Sequence, residues 1–171
     1  MKKTLLYAVF AVMTCLSQSS FAQQTAVANA NTSANVVIPI AISKTADLNF
    51  GNLSVGSTNG TVVMSAAGVR SSTGGVTLPA TSGSPSVASF TVTGQGSFTY
   101  NITLPSSAQT IDDGHSHTMT VDSWASNPSG TGTLTSGSQT LTVGATLHVN
   151  AGQTPNSYTS ATAFNVTVGY N

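Results

Sequence analysis

The chain has 171 residues, of which 5% are Asp, Glu, Lys or Arg and 39% are hydrophobic, with a formal net charge of zero. A typical domain is about one quarter charged, so this surface must meet water through Ser, Thr, Asn, Gln and Gly. Beyond Lys2 and Lys3 the cations are Lys44 and Arg70, set against Asp47, Asp112, Asp113 and Asp122, too few to neutralise the phosphates of a nucleic acid.

Residues 1–22 read as a secretory leader. Lys2 and Lys3 form a positive start, residues 5–16 an apolar run, and Ser20, Phe21 and Ala22 a small-x-small cleavage site. The run is too short to span a bilayer, and nothing later approaches the roughly 18 consecutive apolar residues that a crossing needs. The expected protein is therefore exported, through the periplasm to the cell surface or beyond, with no integral membrane segment after processing. Cys15 is the only cysteine, so residues 23–171 form no disulfide and carry no thiolate chemistry. Residues 23–35, polar and without periodicity, predict a disordered leader to a single domain at 36–171.

The domain opens on Val36-Val37-Ile38-Pro39-Ile40-Ala41-Ile42. In an extended chain Val36, Ile38, Ile40 and Ile42 point one way, because side chains alternate with period 2. Pro39 lacks an N–H and confines the segment to a sheet edge. Burying the four aliphatic side chains contributes about 6–12 kcal/mol, and ordering the seven residues costs roughly 7–14 kcal/mol in backbone entropy. The two nearly cancel, so the segment should stay mobile until a sheet edge supplies hydrogen bonds. That edge belongs either to the same chain, making a monomeric sandwich, or to a neighbour.

Further strands follow. A run with Gly51, Gly56 and Gly60 reads as turns around a short strand, with another at residues 62–65. Ala88, Phe90 and Val92 alternate with polar residues. Gly94-Gln95-Gly96 then suggests a turn, and Phe98, Tyr100, Ile102 and Leu104 alternate again, which predicts a hairpin over residues 88–105. Met119 and Val121 lead a strand to Trp124. Leu141, Val143, Ala145, Leu147 and Val149 share one parity, with a bulge or bend expected at Gly144. Phe164, Val166, Val168 and Tyr170 share one face of a final strand. After the leader no stretch has an apolar 3.6-residue period, and short strands recur about every ten residues. The pattern predicts an all-β, antiparallel β-sandwich of immunoglobulin-like or pilin-like type.

Little in the sequence suggests chemistry. There is no Gly-x-Ser-x-Gly elbow and no Glu, and Asp112 and Asp113 are adjacent rather than opposed across a substrate. Neither an enzyme nor a cofactor is expected. Asp113, His115 and His117 offer two imidazoles and a carboxylate, and an extended loop would turn both rings to one side toward a divalent metal. A polar loop around Gly114 accounts for the same residues. Trp124 with Tyr158 suggests a sugar-stacking platform, or for Trp124 simply a place in the core.

The stretches ISKTADLNFG at residues 42–51, ASFTVTGQGSFTYNITLP at 88–105 and LTVGATLHVNAGQTPNSYTS at 141–160 resemble a family of secreted bacterial domains of unknown function, treated as fimbrial-like sandwiches of Gram-negative bacteria. The resemblance implies the fold and no catalytic residues. The alternating Phe164, Val166, Val168 and penultimate Tyr170 are also similar to the chaperone-binding C-terminus of chaperone-usher pilin subunits. Residues 36–42 resemble the N-terminal extension by which such subunits add a strand to a neighbour. The pilin glycine about a dozen residues before the C-terminus is absent, and so is the disulfide. These likenesses imply a structural subunit of a fibre or matrix that self-associates or joins sister subunits, with a periplasmic chaperone in transit. Val36, Ile38, Ile40 and Ile42 would be the inserted strand. Phe98, Tyr100, Ile102, Phe164, Val166, Val168 and Tyr170 would line the acceptor groove. The alternative is a monomeric carbohydrate-binding or adhesive module.

Overall fold

The computed structural model describes residues 24–171, so the expected leader at residues 1–22, with Cys15, lies outside the described residues. Residues 24–35 are exposed and without regular structure, and they fall in a unit separate from Val36–Asn171. The second unit is all-β, and no helix occurs among the described residues. Its ten strands are β1 (Ala41–Ala46), β2 (Ser54–Met64), β3 (Arg70–Thr77), β4 (Ala88–Thr93), β5 (Thr99–Thr103), β6 (Gln109–Asp112), β7 (Thr118–Asn127), β8 (Thr131–Thr133), β9 (Ser138–Val149) and β10 (Thr167–Tyr170). Every ladder is antiparallel. Seven strands make one sheet, ordered β1-β4-β9-β2-β3, with β7 on β9 and β6 on β7. The order β10-β5-β8 makes a three-stranded second sheet.

The parity of β9 organises the larger sheet. Leu141, Val143, Ala145, Leu147 and Val149 are all buried, while His148 on the opposite parity is exposed. One edge of β9 pairs with β4 over residues 138–143 and then with β2 over 145–149. Gly144 sits at that change of neighbour, where a Cβ would strike the Met64 carbonyl. The irregularity expected at Gly144 falls on the facing strand, where the β7 register shifts between Asp122 and Ala125.

Two apolar clusters result. Phe90, Val92, Leu141 and Val143 of the large sheet face Tyr100, Ile102, Val168 and Tyr170 of the small one, with Leu134 just past β8 packed between them, which makes a β-sandwich. The other half of the large sheet, including Val62, Met64, Val76, Met119, Val121 and Leu147, is met by Phe50, Leu48, Leu53 and Tyr158 from loops rather than by facing strands.

The hairpin expected over residues 88–105 is corrected. β4 and β5 lie in different sheets, because the link between them crosses the end of the sandwich. Gly94 N–H donates to the Gly137 carbonyl at 3.0 Å and Ser97 N–H to the Leu134 carbonyl at 3.1 Å, so the link is held by the β8–β9 turn. The alternation of residues 88–92 and 98–104 reports one buried face in each strand and is blind to which sheet each joins.

Candidate functional site

The structure divides residues 36–42 at Pro39. The ladder to β4 begins at Ala41, and Ile42 pairs with Val92. Ile40 and Ile42 pack on the cluster between the sheets. Before Pro39 the segment has no strand pairing: Val36 is 99% exposed, Ile38 59%, and Val37 is exposed too. Two single bonds hold it. Ile38 N–H donates to Gln95 Oε1 at 3.2 Å, and the Tyr170 hydroxyl donates to the Ile38 carbonyl at 2.8 Å. The same hydroxyl accepts the Gln95 N–H at 2.6 Å.

The seven expected groove residues do come together. Tyr170 pairs with Tyr100 and Val168 with Ile102, and Phe164 and Val166 precede β10 and pack on the same cluster. Phe98 stands half-exposed, edge-on to Tyr170 with ring centroids 5.5 Å apart. Tyr100 is fully buried; burial raises its hydroxyl pKa, and it donates to Gln139 Oε1 at 2.8 Å. These inner faces are already covered by the same chain, through Phe90, Val92, Leu141, Ile40 and Ile42.

A cleft of mixed polar and apolar lining lies elsewhere. About 1110 Å³ in volume, it runs over the loop-covered half of the large sheet, lined by Leu48, Phe50, Met119, Val121, Trp124 and Phe164 among others. Lys44 and Ala46 of β1 border it. On its rim Lys44 Nζ contacts Asp47 Oδ1 at 2.5 Å. The loop that carries Phe50 is anchored by Arg70, whose Nη1 donates to the carbonyls of Phe50 at 2.6 Å, Asn52 at 2.9 Å and Ser82 at 3.4 Å. Periodicity assigns no buried face to Leu48, Phe50 or Leu53 and no anchoring role to Arg70. The available signal was apolar side chains at positions 48, 50, 53 and 55, flanking glycines, on a chain with so few cations.

Trp124 is half-buried against both clusters. Its ring lies 4.5 Å from that of Phe164 at 33°, and Nε1 donates to the Ser107 carbonyl at 3.4 Å. Trp124 is thus a packing residue, and Tyr158 donates its hydroxyl to the Thr154 carbonyl at 2.7 Å.

Asp113 has a side chain only 1% exposed. Burial would raise its pKa, but it is held well below the carboxylate range by the N–H groups of His115 and His117, the His117 ring at 2.7 Å and Asn156. The His115 ring turns to the Asp113 carbonyl at 3.0 Å. The carboxylate is therefore consumed inside its own loop. Among the described residues no group of three or more His, Cys, Asp or Glu is arranged to hold a metal ion. On the outer face His148 Nε2 meets Asp122 Oδ1 at 2.8 Å, and that bond leads the causes lowering the Asp122 pKa. No helix among the described residues is long and apolar enough to cross a membrane.

A family model, the domain of unknown function DUF4402, matches residues 40–170, and the chain belongs to that family. No curated protein and no solved structure matches it.

Proposed function

We propose that this DUF4402 chain is a secreted, pilin-like structural subunit of a fimbria-like fibre or surface matrix, without chemistry of its own, joined to its neighbours by N-terminal strand addition. The observation that carries the reading is the state of the segment before Pro39. Val36, Val37 and Ile38 are apolar and exposed, held by two hydrogen bonds and no ladder. An apolar strand left in water at a sheet edge is what other proteins suppress with charged gatekeepers, and no Lys, Arg, Asp or Glu occurs between Lys3 and Lys44. Fibre-like assembly follows if the segment pairs in trans, and a periplasmic chaperone would keep it apart until then.

The test uses Val36→Asp with Ile38→Asp, since a charge at either position penalises burial in a partner and leaves β1 intact. Size-exclusion chromatography and negative-stain microscopy of the exported protein should show assemblies for the parent chain and single molecules for the variant. Equal assembly of both, or a parent chain that stays single at every concentration, defeats the reading.

A further inference from the structure

A strand at the end of a sheet presents a row of unpaired N–H and C=O groups, and chains that stay single cover that row, shorten it or place charge on it. Four of the five terminal strands are treated in one of these ways. β8 and β10 are three and four residues long. β6 is closed from outside: Asp112 N–H donates to the Thr159 carbonyl at 2.9 Å, Thr159 N–H donates to the Asp112 carbonyl at 2.8 Å, and Gln109 Nε2 bonds the Thr162 carbonyl. β1 carries the Lys44–Asp47 charge pair and breaks its register between Lys44 and Ala46. β3 has none of these devices. It is eight residues long and pairs with β2 alone, and among the described residues no hydrogen bond from outside β2 reaches the backbone of residues 71–77. Its one charge, Arg70, is turned away to the carbonyls of Phe50, Asn52 and Ser82.

The regular part of this edge is short. Ser71, Ser72 and Thr73 lie in register with Val63, Val62 and Thr61; beyond them Gly74 takes a positive φ and residues 56–59 of β2 face only Gly75, which bends the strand. Ser71 and Thr73 are exposed. Only an extended backbone complements such a row, and a second β3 qualifies without any charge meeting its like. We infer that two copies pair antiparallel along β3 about a two-fold axis at Ser72, joining their seven-stranded sheets edge to edge. Ser71 of each copy then stands opposite Thr73 of the other, hydroxyl beside hydroxyl on one face. The contact is isologous and closes on itself, so it joins subunits side to side and builds no filament. It uses no part of residues 36–38 and is independent of strand addition. Three residues a side bury far less than the roughly 1,000 Å² of a lasting interface. Free copies therefore pair only when concentrated, with a dissociation constant on the order of 1 mM, and run as single molecules on a dilute column.

The test is run on the exported chain carrying Val36→Asp and Ile38→Asp, in which the N-terminal segment is silenced. NMR spectra recorded up to about 1 mM should show the amides of residues 71–73 shifting with concentration. Adding Ser71→Lys with Thr73→Lys sets Lys opposite Lys and should weaken pairing at least about tenfold, and mixing those copies with copies carrying Ser71→Glu and Thr73→Glu should restore it. Should the charged variants fail to fold, Ser72→Cys with Cys15→Ser provides a second readout, since two such copies should oxidise to a disulfide across the axis. No concentration dependence at residues 71–73, pairing indifferent to the lysines, no restoration on mixing, or no link through Ser72→Cys overturns the contact and leaves the fibre reading standing. Shifts at residues 71–73 that occur in the parent chain and vanish in the Asp background overturn it too, because residues 36–38 would then be what occupies the edge. Pairing at β3 in a chain that never forms fibres defeats the fibre reading alone.

Discussion

Replacing Tyr170 by Phe deletes a single oxygen and keeps the ring that packs edge-on against Phe98. That oxygen bridges two elements, accepting from Gln95 N–H and donating to the Ile38 carbonyl. The Gln95 N–H is half-buried and would lose its partner at a cost of about 1–3 kcal/mol, whereas the exposed Ile38 carbonyl rehydrates and forfeits about 0.5–1.5 kcal/mol. The domain should lose about 1.5–4.5 kcal/mol in total and melt roughly 3–15 °C lower. The Ile38 share alone raises the detached population of residues 36–39 roughly two- to tenfold. Hydrogen exchange at the Ile38 amide, read by NMR beside the thermal midpoint, checks both quantities, and assembly should speed up as the segment is released. A lowered midpoint with unchanged exchange at Ile38 would refute the tether, because the hydroxyl would then be stabilising only the Gly94–Phe98 link.

Four other outcomes follow from the same geometry. Arg70→Met removes a guanidinium held by three carbonyls and should cost about 2–4 kcal/mol in urea unfolding, with faster proteolysis of the loop carrying Phe50. Gly144→Ala should lower the melting midpoint by several degrees, since its Cβ meets the Met64 carbonyl at a strand junction that has no slack. Asp113 has a depressed folded-state pKa, so its contribution is present above the unfolded value near 4 and is lost as pH falls toward the folded one; Asp113→Asn should flatten that acid limb of stability between about pH 4 and pH 2. Trp124→Ala should cost about 3 kcal/mol through lost packing on Phe164. A glycan array on which the parent chain binds a sugar and this variant, still folded, does not would favour the carbohydrate-binding alternative.

Much of the sandwich is legible in alternation. The buried parity of residues 141–149 and the apolar faces of residues 88–92 and 98–104 follow from one-sided burial, which writes a period of 2 into the chain. Alternation carries no information on pairing partners, so the crossing at residues 94–98 read as a hairpin, and only the bonds from Gly94 and Ser97 to the β8–β9 turn reveal it. Pro39 marked an edge correctly in kind. The division it imposes, with Ile40 and Ile42 packed and Val36 and Ile38 exposed, depends on where β10 ends. The cleft was beyond reach because its walls come from loops, whose apolar residues obey no period. The His-rich loop is curled by positive φ at Gly114 and Ser116, so of the two arrangements its residues allow it takes the polar turn, with the Asp113 carboxylate accepting from the backbone of His115 and His117.

The late position of β9 bears on how the molecule comes into being. Gly60 of β2, Phe90 of β4 and Val121 of β7 all find their ladder partners on this one strand, near the end of the chain. A polypeptide emerging N-terminus first, from a ribosome or a translocation channel, therefore holds these strands as separate pairs, β2 with β3, β4 with β1 and β7 with β6, that nothing joins into one sheet until residue 149 has appeared. Such delayed, long-range closure is slow and prone to mispairing. Truncations ending before Ser138 should yield no cooperative unfolding transition at all, and a helper that shields half-made sheets would act during this interval.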